Sequence, residues 1–434
     1  MAVTQTRHQS CLLLLPALTF QRPPNAPSRR ISRRRRLQSP AQFFTPEILD
    51  SSHSIEAGAL RIRFRRARSE VGVPLIAMSS DPSSSSDAAN SAAEADDLRR
   101  KRVQSSKLYF DVRPSKDPVI YSSTYDISFF GLEKMHPFDA AKWGRICDFL
   151  RKDGVLDKKR IVEPREASKD DLLVVHSETY LNSLNNSATV ASIMEIPPVA
   201  LVPNLLVQKM ALCPFRKQVG GTILAAKLAK ERGWAINVGG GFHHCSAQSG
   251  GGFCAYADIS LCIHFAFIRL NISRVMIIDL DAHQGNGHET DFADDDRVYI
   301  LDMFNPNIYP FDYEARRYID QKVQVQSGTG TDEYLEKLDD ALQVAGCKSN
   351  PELIIYNAGT DILDGDPLGR LKISGEGVAI RDEKVFRFAR DRNIPLLMLT
   401  SGGYMKSSAK VIADSIKNLS TKKLIDFSRH ARQI

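Results

Sequence analysis

Three side chains at the exits of two apolar runs are the part of this sequence best suited to chemistry. Asp281-Ala-His283 follows Val275-Met-Ile-Ile278, and Asn357-Ala-Gly-Thr-Asp361 follows Leu353-Ile-Ile-Tyr356. Two carboxylates and one imidazole make three donors and leave a fourth position open, which is the pattern of catalytic rather than structural zinc. Asp279 stands at the buried end of the first run, where a carboxylate without a partner is costly. Gly285-Asn286-Gly287 permits a tight turn beside it. Two adjacent imidazoles, His243 and His244, come after Gly239-Gly-Gly241, and Tyr404 comes after Gly402-Gly403. A hydrolytic centre needs a base and an acid, roles that two histidines fill, with Asp279 available to hold one ring nitrogen. The Tyr404 hydroxyl can be aimed at a developing oxyanion. Each residue alone has a bland reading: a helix cap for Asp281, core or surface imidazoles for the histidines, half-buried packing for the tyrosine. Together, each set behind its own apolar run, they point to a hydrolytic metal site.

Those runs predict strands at 172–175, 234–238, 274–280, 297–302, 352–358 and 395–400, alternating with helical spacing at 216–232, 256–269, 332–346, 375–392 and 406–419. Gly233 stands where the first of these helices should end, and Ser374 where the fourth should be capped. Such alternation implies an α/β fold, a central parallel sheet with helices on both faces, and active sites lie at the carboxyl ends of the strands in sheets of that kind. The segment 106–170, with a helix expected over 139–151, precedes the regular alternation and is placed at one edge.

Charge is unevenly spread. Of 58 basic and 51 acidic residues, 17 and 9 fall in the first 105, which leaves 41 and 42 for the rest. Residues 1–105 therefore read as a disordered basic leader and 106–434 as one catalytic domain. A near-neutral folded part argues against a nucleic-acid surface. No apolar stretch approaches the roughly 20 residues that span a bilayer. Residues 1–46 hold no acidic residue, which suits a chloroplast or mitochondrial transit peptide, while Ser32-Arg-Arg-Arg-Arg36 suits a nuclear address. The seven cysteines are scattered, contain no CxxC pair and read as reduced residues of an intracellular protein. The glycine clusters 239–241 and 250–252 lack phosphate-loop spacing.

Gly239-Gly-Gly-Phe-His-His244, Gly251-Gly-Phe-Cys254, Asp279-Leu-Asp-Ala-His-Gln-Gly-Asn-Gly287, Asn357-Ala-Gly-Thr-Asp361 and Ser401-Gly-Gly-Tyr404 together resemble the zinc-dependent histone deacetylase family, over roughly residues 115–425. Met135-His-Pro-Phe-Asp139 and Asn393-Ile-Pro-Leu-Leu-Met398 resemble its class IV branch, and Asp364 and Pro367 fit its post-ligand loop. The resemblance implies a single arginase/deacetylase-like domain, Zn2+ on Asp281, His283 and Asp361, and a structural K+ held by backbone carbonyls around Asp279, Asp281 and His283. It makes His244 the general base and acid, His243 its electrostatic partner bonded to Asp279, and Tyr404 the group that polarises the carbonyl. Gly252, Phe253 and Tyr309 would line an acyl-lysine tunnel, with Glu195 as an acidic rim residue. Asn286 stands where class I members carry Asp, so the partner of His244 would be neutral. The implied reaction is hydrolysis of N6-acetyl-lysine on histones or other proteins to lysine and acetate, with corepressor-type partners undefined. Other readings are an acetylpolyamine amidohydrolase, a long-chain lysine defatty-acylase and an inactive acyl-lysine binder. A two-manganese ureohydrolase of Asp-x-His-x-Asp type lacks its last ligand, because Gly285 stands there.

Overall fold

Seven short strands lie side by side in one wholly parallel sheet: β1 (Val119–Ile120), β2 (Trp234–Asn237), β3 (Val275–Asp279), β4 (Val298–Phe304), β5 (Gln321–Gln324), β6 (Leu353–Asn357) and β7 (Leu396–Leu399). Their spatial order is β1-β2-β7-β6-β3-β4-β5, in a computed structural model that describes residues 83–427. β2, β3, β6 and β7 are buried along their whole length, as a parallel sheet covered on both faces requires. Alternate residues serve opposite faces. In β3, Val275 and Ile277 join a core that includes helix Cys213–Arg232, while Met276 and Ile278 join one that includes helix Gly375–Asp391. The single parallel α/β sheet is therefore as the alternation implied.

Element ends follow local chemistry. Gly233 closes its helix at φ +84°, a left-handed turn that glycine adopts without strain, and the chain passes directly into β2. The Ser374 hydroxyl accepts from Gly377 N–H at 2.9 Å and starts helix Gly375–Asp391. No helix among the described residues is long and apolar enough to cross a membrane.

Two expectations change. The run 172–175 is no strand: Ser168 and Asp171 form a reciprocal capping box that turns Lys169–Leu172 into a helical turn. The folded part also begins before residue 106. A helix spans Ser83–Ser105; Val103 is buried in the core, and Arg99 and Arg102 donate to the carbonyls of Val174 and Leu173 at 3.0 and 3.1 Å. Arginines that looked like leader charge thus satisfy the open end of the turn at 169–172. The rest of the expected leader, residues 1–82, lies outside the described residues.

Candidate metal centre

β3 and β6 are neighbours, with Asp279 in register with Asn357, so the loops that leave them run side by side. The first brings Asp281 and His283, the second Asp361. His283 Nδ1 lies 2.7 Å from Asp361 Oδ2 and 3.1 Å from Asp281 Oδ1. One donor atom from each residue lies within 4.8 Å of the others, and all three side chains are buried. Ligands about 2 Å from a tetrahedral ion sit about 3.3 Å apart, close to this spacing. Asp281 Oδ2 is held by the Ser401 hydroxyl and Gly402 N–H, each at 3.0 Å, and Asp361 Oδ1 by Ala282 N–H at 2.9 Å. Burial and the Asp281 charge push Asp361 up to about 7. Burial pulls His283 down, but its bonds to Asp281 and Asp361 outweigh that and lift it to about 10. Positive charge between Asp281 and Asp361 is what offsets their burial, as the raised His283 and Asp361 indicate. A divalent cation would do so at the same point and leave the imidazole neutral, as ligation requires.

Asp279 is the hub behind this triad. Its Oδ2 accepts from His243 Nδ1 and His288 Nε2, both at 2.9 Å, and its Oδ1 from Asn357 Nδ2 at 2.9 Å and Asp281 N–H at 3.2 Å. Burial alone would raise Asp279, but the His243 charge and these bonds hold it below the usual carboxylate range. His243 is drawn down by burial, yet the Asp279 and Asp281 charges lift it to about 9. His244 is pushed well below its ordinary value by burial and by the charges of His243 and His283. At neutral pH, two rings with centroids 4.1 Å apart therefore combine one imidazolium, His243, with one neutral imidazole, His244, that keeps a free lone pair. Asn286 Nδ2 donates to Asp312 Oδ2 at 3.2 Å, which turns its carbonyl oxygen to His244 Nδ1 at 3.0 Å. The lone pair is thus on His244 Nε2.

The histidine loop is threaded through glycines at φ +70° and +79°, where Gly241 and Phe242 donate their N–H groups to Asp258 at 2.9 and 2.7 Å. At the end of β7, Tyr404 N–H donates to Asp366 Oδ2 at 2.9 Å, and the Tyr404 ring lies 5.9 Å from that of His283. In the post-ligand loop it is Asp366 that is buried, whereas Asp364 is exposed. Lys142 is fully buried and donates to the carbonyls of Ser401 and, at 2.6 Å, Gly402. Burial pulls its ammonium down to about 8, against the pull of Asp361 and Asp281. Sequence reasoning missed Asp258, Asp366 and Lys142, which bind segments well removed in the chain, and His288, whose partner Asp279 lies nine residues earlier across the glycine turn. The only signal was charge inside otherwise apolar or glycine-rich stretches.

A cavity of about 260 Å³ opens above the donors, lined by His244, His283, Gly252, Tyr309, Tyr404 and Glu195 among others. A Cβ on Gly252 would lie 2.6 Å from the His244 ring and 3.0 Å from Tyr309, so only glycine fits between them. Phe253 stands one layer deeper, its ring 5.1 Å from His136 and 4.9 Å from Phe138. Phe253, Phe138, Trp143, His243 and Tyr404 are among the residues around an inner space of only about 30 Å³. Glu195 accepts from His136 Nε2 at 3.2 Å at the mouth. All the residues singled out for the site are therefore brought together, with Phe253 in the inner wall rather than the outer one.

A profile of the Histone deacetylase domain matches residues 136–419. The chain is 75% identical over 334 residues to "Histone deacetylase 2" of Arabidopsis thaliana, covering 77% of this chain and 86% of that protein. In fold it is similar to the crystal structure of the HDA15 HD domain, with TM-score 0.58, 20% identity and coverage of 70% and 88%. It is also similar to an HDAC homologue from Aquifex aeolicus, with TM-score 0.56, 21% identity and coverage of 71% and 83%.

Proposed function

This chain belongs to the histone deacetylase family, and from that premise we propose a zinc-dependent lysine deacylase of the class IV type that prefers a short acyl group. It is a hydrolase of the amide bond in N6-acetyl-lysine. The observation that carries the finer reading is the convergence of Asp281, His283 and Asp361 below a neutral His244 and beside Tyr404. A divalent ion held by those three donors supplies Lewis acidity for a carbonyl oxygen and for water, and two carboxylates with one imidazole suit Zn2+.

The protein's own groups do the rest. His244 Nε2 takes a proton from the attacking water and passes it to the departing lysine amine. His243, kept protonated by Asp279, places a positive charge beside the negative charge that develops. Tyr404 stays a phenol, because burial and the Asp361 charge raise it, and its hydroxyl donates to the oxyanion. A structural K+ near the carbonyls of Asp279, Asp281 and His283 belongs to the same reading. Asp302, in register with Asp279, is buried against Glu289, and each keeps a carboxylate oxygen without a donor, a local negative charge that a cation nearby would offset.

Two features weigh against a two-metal ureohydrolase and a long-chain defatty-acylase. At Gly285 a Cβ would lie 2.1 Å from His288 Nε2 and 2.6 Å from Asp279 Oδ2, so no ligand side chain for a second metal fits. The inner space of about 30 Å³ has room for about one water molecule, which suits an acetyl methyl and not a long chain. Purified protein should contain stoichiometric zinc and hydrolyse acetyl-lysine peptides faster than myristoyl-lysine peptides or acetylpolyamines, losing activity to a chelator and regaining it with Zn2+. Folded protein that binds no ion, or that prefers the long chain, overturns the reading.

A further inference from the structure

Arg381, on helix Gly375–Asp391, is fully buried, and burying a guanidinium carries a desolvation cost that packing alone does not offset. Its Nη1 donates to two backbone carbonyls, that of Leu280 at 3.2 Å and that of Gly359. Leu280 lies between Asp279 and Asp281, and Gly359 lies two residues before Asp361. One nitrogen thus joins the two loops that deliver the three metal donors. On the other side of the fork, Nε donates to Asp382 Oδ1 at 2.9 Å, and Nη2 lies 2.8 Å from the same oxygen. Asp382 also accepts from the Tyr356 and Ser415 hydroxyls, each at 2.5 Å, so the pair is anchored to β6 and to helix Ser408–Thr421.

An apolar side chain could fill this space, and an ion pair alone would need neither carbonyl. We propose that Arg381 is a positioning residue for the metal centre, fixing the separation of loops 279–283 and 357–361 and so the convergence of Asp281, His283 and Asp361. The inference rests on those three being ligands. The loops leave no slack at the point where Arg381 grips them: a Cβ on Gly359 would lie 2.1 Å from Asp281 Oδ2. Freed from the guanidinium, the two carbonyls would be buried acceptors without a donor, and the loops would have to part or admit water to satisfy them.

Two substitutions test this. Arg381→Lys keeps a cation beside Asp382, but a point-charge ammonium lacks the fork that reaches Asp382 and both carbonyls. Arg381→Met combined with Asp382→Asn removes both charges and keeps an acceptor for one of the Tyr356 and Ser415 hydroxyls and an N–H donor toward the other, whereas removing the arginine alone would strand a buried carboxylate. Metal-free protein is titrated with Co2+ and followed by visible absorption, alongside thermal melting without metal. Both variants should fold, melt within a few degrees of the wild type, and bind Co2+ about 10–100-fold more weakly with an altered spectrum. Variants that keep wild-type Co2+ affinity and spectrum while melting earlier, or that both fail to fold, assign Arg381 to stability alone and overturn the proposal. A wild type that takes up no Co2+ brings down the ligand assignment instead.

Discussion

Tyr404 and the histidine pair set the pH behaviour at the scale of single residues. Replacing Tyr404 by Phe should leave metal content unchanged and lower kcat by about 10²–10³, the usual loss for one oxyanion donor. An unchanged kcat would remove the tyrosine from the mechanism. With His244 as the proposed base, activity needs it unprotonated, and since its folded value lies well below 6.5, the acid limb of kcat/KM should fall below pH 6.5. It needs His243 protonated, so activity should decline as pH rises through about 9. Asp279→Asn removes the largest influence that raises His243 and should move the alkaline limb down; an unmoved limb would show that His243 is not the group titrating. The residues that carry these roles were legible in the sequence because each sits directly behind an apolar run. Asp258, Asp366, Lys142 and Arg381 were not, because they bind backbone groups far away in the chain and no local pattern marks a partner that folding alone supplies.

Among the elements, the loop after β7 does as much for the site as the two ligand loops. At Gly402 a Cβ would lie 2.3 Å from Asp281 Oδ2 and 2.7 Å from Asp361 Oδ2. Gly402→Ala should therefore cost at least tenfold in metal affinity while the circular dichroism of the helices stays unchanged, comparable to the loss of an outer-shell contact. Full metal content in that variant would mean the loops have more freedom than the contacts indicate. The central strands were readable as continuous apolar runs, but the edges were not. β1 has only two residues, and β5 is Gln-Lys-Val-Gln with one polar face in solvent, so neither offers a run long enough to see. The apolar stretch 172–175 failed in the opposite sense: its hydrophobicity was real, and Leu172 and Val174 are buried, but the preceding cap decided the backbone.

At the scale of the whole molecule, His176 links stability to acidity. Its Nε2 accepts from Ala257 N–H at 3.0 Å and its Nδ1 lies 3.3 Å from the Ala247 carbonyl, so a neutral ring spans the segment 247–257 that includes Gly252 and Phe253. Burial pulls His176 down to about 4 from an unfolded value of 6.5. Between those values the unfolded chain binds the extra proton. The contribution is therefore complete above pH 6.5 and is lost as pH falls through about 4, to the extent of about 3 kcal/mol. His176→Gln should flatten the fall in melting temperature between pH 7 and 5; parallel curves would exclude the linkage. Sheet order has a different kind of consequence. β7, the last strand to leave the ribosome, belongs between β2 and β6. Until it arrives, those two strands face a gap, and the nascent chain holds two half-sheets with open inner edges. Vectorial synthesis therefore exposes this protein to mispairing almost to its end, and a message cut short before residue 396 would yield a chaperone client rather than a weaker enzyme.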